Sequence, residues 1–217
     1  MIPTRLHEGF ARFRAERFER KQRIWQTLAK GQSPETLVIG CADSRVDPAA
    51  IFDAGPGELF IIRNVANLVP PYEPDSAHHG VSAALEYAVT VLKVKNVVIL
   101  GHRQCGGVHA AATGAAEDTQ FVRKWLEPLT PVHAEACREL GADAPVDDLC
   151  DDMELRSIRR SRERLMSFPF IAEAVQAGNL ALHGARFGIA DGELEWLNSD
   201  GQFEAVVPAL PPQADSA

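Results

Sequence analysis

Two short stretches of this chain carry side chains that could do chemistry together. The first, residues 37–47, runs an apolar, partly β-branched segment (Leu37, Val38, Ile39) through Gly40 into Cys41, Asp43 and Arg45. The second, residues 96–108, runs a similar segment through Gly101 into His102 and Cys105. Such a run, ending at a glycine and followed by polar groups, reads as a buried strand that delivers chemistry at its carboxyl end. Cys41 and Asp43, at i and i+2, project to the same side of an extended chain. Together the stretches offer two thiolates, an imidazole and a carboxylate, a donor set that suits zinc. Two thiolates offset the charge of Zn2+, so the metal is a weaker Lewis acid than one held by three neutral imidazoles, and a water there needs help to ionise. Asp43, held by a fork-like pair with Arg45, can accept a hydrogen bond from that water and aim it. Elsewhere a bare Asp-x-Arg pair is usually a surface ion pair.

The elements that must position these groups follow from periodicity. Residues 2–30 place Leu6, Phe10, Phe13, Ile24, Trp25 and Leu28 at helical spacing among many charges, which predicts one or two amphipathic helices. Gly31 and Pro34 end them. A strand then leads to Cys41, a short helix is expected over 48–54, and 58–63 reads as a second strand. Val81, Ala84, Leu85, Ala88, Val89 and Leu92 make a packing helix of 79–92, which leads into the strand at 96–100. A helix-length crossover between strands signals parallel pairing. Helix is expected from Val108, and residues 121–164 are polar and helical in propensity, cut by Pro128, Pro131 and Pro145. Residues 170–175 read as the end of another helix, 180–187 as a strand, and Asp191-Gly192 as a hairpin turn into 194–197. The expected fold is α/β: a mostly parallel central sheet flanked by helices, with an N-terminal helical arm over 1–30 and a flexible tail over 208–217, all in a single domain of 1–217. In a parallel sheet the strand ends share one edge, which brings Cys41 and His102 together although they lie far apart in sequence.

Composition narrows the function classes. With 217 residues the chain can bury a full core, and its 46% hydrophobic content is ordinary. No apolar run approaches the length of a membrane-spanning helix and no secretory signal is readable, so a cytoplasmic protein with no membrane partner is expected. A net charge of −8 argues against a nucleic-acid partner. Four cysteines are too few for a disulfide scaffold, and a reducing compartment leaves Cys41 and Cys105 free for metal. Cys137 and Cys150 show no histidine or cysteine at ligand spacing and read as packing or exposed thiols. His78 and His79 read as surface groups ahead of a helix, and His109, His133 and His183 have no evident partner.

Cys-x-Asp-x-Arg followed at this distance by His-x-x-Cys-Gly-Gly resembles the β-class carbonic anhydrases. The resemblance covers most of the chain, including Gly31 to Pro34, Pro56 to Glu58, Arg63 to Asn67, Glu86-Tyr87 and His183-Gly184. It implies that Cys41, His102 and Cys105 bind Zn2+, that Asp43 and Arg45 form the catalytic dyad, and that Asp43 reaches the metal only in a closed state. It further implies that Gln32, Phe60, Val65, Tyr87 and Gly106 line the substrate pocket, some of them from a partner subunit. The activity implied is reversible hydration of carbon dioxide to bicarbonate and a proton, by a homodimer or higher homo-oligomer in which the N-terminal arm embraces a neighbour. Two other readings stay open: hydrolysis of carbonyl sulfide or carbon disulfide on the same scaffold, and a non-catalytic zinc-stabilised binding module.

The chain departs from one subgroup of that family, which holds bicarbonate at a second, inhibitory site using a tryptophan and a tyrosine. Val38 and Phe187 stand at those positions, and neither can donate a hydrogen bond. The expectation is an open, plant-like site without that second anion, with Arg63 serving as a structural ion pair or pocket-edge charge.

Overall fold

The computed structural model describes residues 2–75 and 78–207. Six strands form one sheet in the order β2-β1-β3-β4-β5-β6. These are β1 (Thr36–Cys41), β2 (Leu59–Asn64), β3 (Asn96–His102), β4 (Ala181–Phe187), β5 (Leu194–Leu197) and β6 (Phe203–Ala205). β1 pairs in parallel with β2 and β3, and β3 with β4, while β5 and β6 add antiparallel at the edge. The strand expected to lead through 37–39 to Cys41 and the one expected over 96–100 both extend to include the chemistry-bearing residues: Cys41 ends β1 and His102 ends β3. With Gly40 opposite Leu100, those two ends sit side by side.

Near-continuous apolar runs in β1 and β3 reflect burial on both faces. On one face Leu37, Ile39, Val97 and Ile99 pack under Leu85, Ala88, Ile158, Leu165, Phe168 and Ile171. These come from α4 (Gly80–Glu86), α8 (Val146–Leu165), α9 (Pro169–Gln176) with its N-cap residue Phe168, and the π-helical turn Tyr87–Val91 that continues α4. On the other face Val38, Val98, Leu100 and Ala185 meet Ile51 and Phe52, at the end of α3 (Pro48–Ile51), and Trp196. A third apolar cluster beyond the strand ends joins Cys41, Cys105 and Val108 to Leu126, Leu129, Val132 and Met153. It is built by α5 (Gly106–Thr113), α6 (Val122–Leu126), α7 (Thr130–Leu140) and α8.

Prolines cut residues 121–164 as expected: Pro131 stands in the first turn of α7 and Pro145 is the N-cap residue of α8. The approach of α8 to the sheet requires glycines. A Cβ at Gly101 would lie 2.7 Å from Ile158 Cδ1, and one at Gly184 would lie 2.8 Å from Ile158 Cγ2.

The N-terminal arm is α1 (Thr4–Arg12), a π-helical continuation Phe13–Phe18 and α2 (Gln22–Leu28), with no buried residue in any of them. Phe13, Phe18 and Trp25 cluster with ring centroids 5.8 to 6.2 Å apart. Leu6 and Phe10 are 63% and 59% exposed, so the apolar stripe of α1 faces outward. The strand β6 was not anticipated, although Asp200-Gly201 is the same turn signal as Asp191-Gly192. The tail expected over 208–217 lies outside the described residues.

Candidate metal centre

Cys41, His102 and Cys105 converge at the ends of β1 and β3. All three are buried, and their ligand atoms lie within 4.8 Å of one another, the sole such cluster among the described residues. The two sulfurs are 3.9 Å apart and unbonded. Two sulfurs bound to one tetrahedral zinc at about 2.3 Å each would lie about 3.8 Å apart.

His102 Nδ1 lies 3.0 Å from the Arg103 carbonyl, which can only accept, so the ring proton sits on Nδ1. Nε2 then presents its lone pair to the two sulfurs, and it is a buried nitrogen with no hydrogen-bond partner. A buried polar atom left orphaned in this way is costly unless something binds it. The two sulfurs lie close enough to share one proton: the hydrogen bond between them lowers the pKa of the Cys41 thiol, and the same contact together with burial raises that of Cys105. A divalent cation between them would take the place of that proton. The donor set therefore fits zinc.

Asp43 stands at the mouth of the cluster without joining it, its Oδ2 3.9 Å from His102 Nε2. Arg45 grips both of its oxygens, Nε donating to Oδ1 at 2.9 Å and the guanidinium to Oδ2 at 2.7 Å, while the Arg45 amide adds a third bond to Oδ1. These bonds hold the Asp43 carboxyl well below the usual carboxylate range. Arg45 also donates to the Gln104 carbonyl at 3.3 Å, tying the loop after β1 to the loop after β3.

Of the two roles expected for Arg63, the ion pair is not found: its guanidinium makes none among the described residues and donates to the carbonyls of Cys41, Asp43 and Val46 at 2.8, 2.5 and 3.3 Å. Those carbonyls belong to the loop that presents Asp43, so Arg63 shapes that loop. Val38 is buried, and Phe187 packs on the same apolar cluster.

Among the residues expected to line a pocket, the Phe60 and Tyr87 rings meet at a tilt of 32° with centroids 6.0 Å apart. Val65 sits against Gly107, where a Cβ would come within 2.8 Å of Val65 Cγ1, and Gly106 opens α5 directly after Cys105. Gln32 is elsewhere: exposed, in a recess with Trp25, Leu28, Pro56 and Gly57. Two histidines do have partners: His133 Nε2 lies 3.4 Å from Cys137 Sγ one helical turn on, and His183 Nε2 lies 3.0 Å from Asn96 Oδ1. The i, i+4 spacing of His133 and Cys137 on α7 puts the two side chains on one face, so Cys137 does have a histidine neighbour, contrary to expectation. His79 pairs with Asp75 at 2.7 Å.

Sequence reasoning missed Glu154, on α8. Its carboxylate is 3% exposed, and Oε1 accepts the Cys105 amide at 3.0 Å. Burial pushes its carboxyl up to about 7, against the opposing pull of that amide and of Arg186. The available signal was a polar residue on the stripe that α8 turns inward, alongside Met153, Ser157 and Ile158.

Comparison with known proteins agrees with this geometry. Residues 36–194 match the family model described as carbonic anhydrase. The chain is 36% identical over 205 residues to beta carbonic anhydrase 3 of Arabidopsis thaliana, covering 90% of this chain and 77% of that protein. Among solved structures, the beta-carbonic anhydrase CcaA superposes with a TM-score of 0.86 at 31% identity, covering 93% of this chain and 98% of that one. One of two tetrameric beta-carbonic anhydrases from Sordaria macrospora gives 0.77 at 32% identity, covering 94% and 100%. The chain belongs to the carbonic anhydrase family, as an enzyme of its beta class.

Proposed function

We propose that the protein catalyses the zinc-dependent, reversible hydration of carbon dioxide to bicarbonate and a proton, with Cys41, His102 and Cys105 as the zinc ligands. The observation that carries this reading is the orphaned His102 Nε2 facing two unbridged sulfurs, with the Asp43–Arg45 pair beside them. Zinc held there supplies Lewis acidity that lowers the pKa of a water. Asp43, kept ionised by Arg45, accepts a hydrogen bond from the attacking water and orients it toward the carbon of carbon dioxide. Arg45 keeps the carboxylate in that acceptor role and away from the fourth ligand position. A structural zinc normally has four closed protein ligands. With Asp43 engaged by Arg45, three remain, which favours catalysis over a binding module.

Phe60, Val65 and Tyr87 would give the pocket its apolar wall, Gly106 would leave room beside Cys105, and Gln32 would orient carbon dioxide from a neighbouring subunit. The outward apolar stripe of the arm and the tetrameric relative from Sordaria macrospora support a homo-oligomer. The four free cysteines suit a reducing, cytoplasmic compartment, and no helix among the described residues is long and apolar enough to cross a membrane. Val38 and Phe187 offer no hydrogen bond to a second bicarbonate, which would be left with its desolvation uncompensated. The site is therefore open in the resting enzyme. Hydration assays on the protein before chelation, after chelation and after zinc is restored test the proposal: activity should vanish and return. Equal activity throughout would refute it.

A further inference from the structure

The peptide unit joining Gln104 to Cys105 is gripped at both ends. Its carbonyl accepts from Arg45 at 3.3 Å, and its N–H donates to Glu154 Oε1 at 3.0 Å. It needs holding, because Gln104 has φ +59, a left-handed conformation that costs a non-glycine residue free energy. The Arg45 end is anchored by Asp43. The Glu154 end has a further requirement: Glu154 lines a cavity of about 430 Å³ together with Arg103, His109, Asp147, Cys150 and Asp151, and its Oε2 is buried without a hydrogen-bond partner, so Oε1 alone ties the carboxylate in place by hydrogen bonding.

The group facing Oε2 is Arg186. Its side chain is 4% exposed, and its guanidinium lies 3.5 Å from Glu154 Oε2. Glu195 fixes the guanidinium from β5 at 2.6 and 3.2 Å, and Asp151 from α8 at 2.7 Å. Arg103, next to His102, reaches the same Glu195 at 3.4 Å. A buried ionic cluster of this kind is weak evidence for stability, since well-packed apolar residues often do as well. Its geometry has a different consequence, because it ends on the backbone of a metal ligand.

We propose that Arg186 is a positioning residue for the metal centre: it holds Glu154 against the Cys105 amide and so fixes the Gln104–Cys105 peptide that aims the Cys105 sulfur. The inference rests on the zinc site proposed above. Outer partners that orient metal ligands are typically worth about 10–100-fold in metal affinity. Arg186→Met should weaken zinc binding by that factor in a chelator competition. It should also alter the sulfur-to-cobalt charge-transfer band of the Co2+-substituted protein. Glu154→Gln should partly rescue the Arg186→Met variant, because a neutral amide needs no cation yet its carbonyl still accepts from Cys105.

The double variant also keeps the test open should Arg186→Met alone not fold, since it leaves no uncompensated charge beside Cys105. Its zinc affinity should then lie within about tenfold of the parent's, at the small end of such effects. A parent that binds no zinc would overturn the zinc reading itself. A parent that binds zinc, together with a folded Arg186→Met of equal affinity and unchanged cobalt spectrum, would overturn the role of Arg186 alone. So would a double variant that folds but binds zinc more than about 100-fold more weakly than the parent.

Discussion

Asp43 and Arg45 show how one residue's chemistry depends on another's grip. A carboxylate this close to His102 would be a natural fourth ligand, and the bidentate pair with Arg45 keeps it an acceptor. Arg45→Ala should retain zinc but lose hydration activity, since Asp43 is then free to occupy the open position; an unchanged rate with unchanged zinc would remove Arg45 from the mechanism. The same pair sets a pH dependence. Arg45 lowers the folded-state pKa of Asp43, so its contribution to stability is present above the unfolded carboxylate value of about 3.9 and is lost as pH falls through the lower folded value. Thermal melts of parent and Arg45→Ala should therefore differ most near neutrality and converge in acid. A gap that widens on acidification would contradict this sign. At this scale the site was legible where chemistry follows from spacing: Cys41, Asp43, Arg45, His102 and Cys105 stand out because metal donors after a glycine have few other uses. Glu154 and Arg186 did not stand out. A charge on an amphipathic helix or a half-buried strand ordinarily faces water, and only the packed structure shows these two turned inward.

The elements that matter most are β1, β3 and α8. The strands bring the ligands to one edge, and their apolar runs, glycine ends and parallel register were readable because burial on both faces leaves a distinctive pattern. How α8 docks was not readable, since it depends on a shape fit between Ile158 and glycines on two different strands. That fit has a functional consequence, because Glu154 lies one helical turn before Ile158. Gly101→Ala should push α8 outward, destabilise the fold by about 1–3 kcal/mol as overpacking does, and weaken zinc binding along with it. Adding Ile158→Val, which removes the clashing Cδ1, should recover part of both. Denaturant unfolding combined with zinc competition would check this, and a Gly101→Ala protein as stable as its parent would show that α8 is not seated as tightly as the contacts indicate. β6 escaped notice because a three-residue strand carries too short a pattern for periodicity to detect.

On the scale of the whole molecule, the arm is the unfinished part. Its aromatic cluster tucks Phe13, Phe18 and Trp25 together, yet Leu6, Phe10 and Ile24 face outward along it. An apolar stripe left open in this way invites a partner surface. Sedimentation at micromolar concentration should show a dimer or larger species, and replacing Leu6 and Phe10 with serine should shift the distribution toward monomer. A parent that sediments only as a monomer would argue against the arm's role and against Gln32 reaching a neighbour's pocket.

The central claim is that three residues from two strand ends hold one zinc that the reaction requires. Metal analysis of the purified parent beside Cys41→Ser and His102→Ala, read together with carbon dioxide hydration on the same samples, tests it most directly. The account predicts about one zinc per chain and activity in the parent, with both lost in each variant. Full zinc occupancy in either variant, or hydration at the parental rate without zinc, would contradict it.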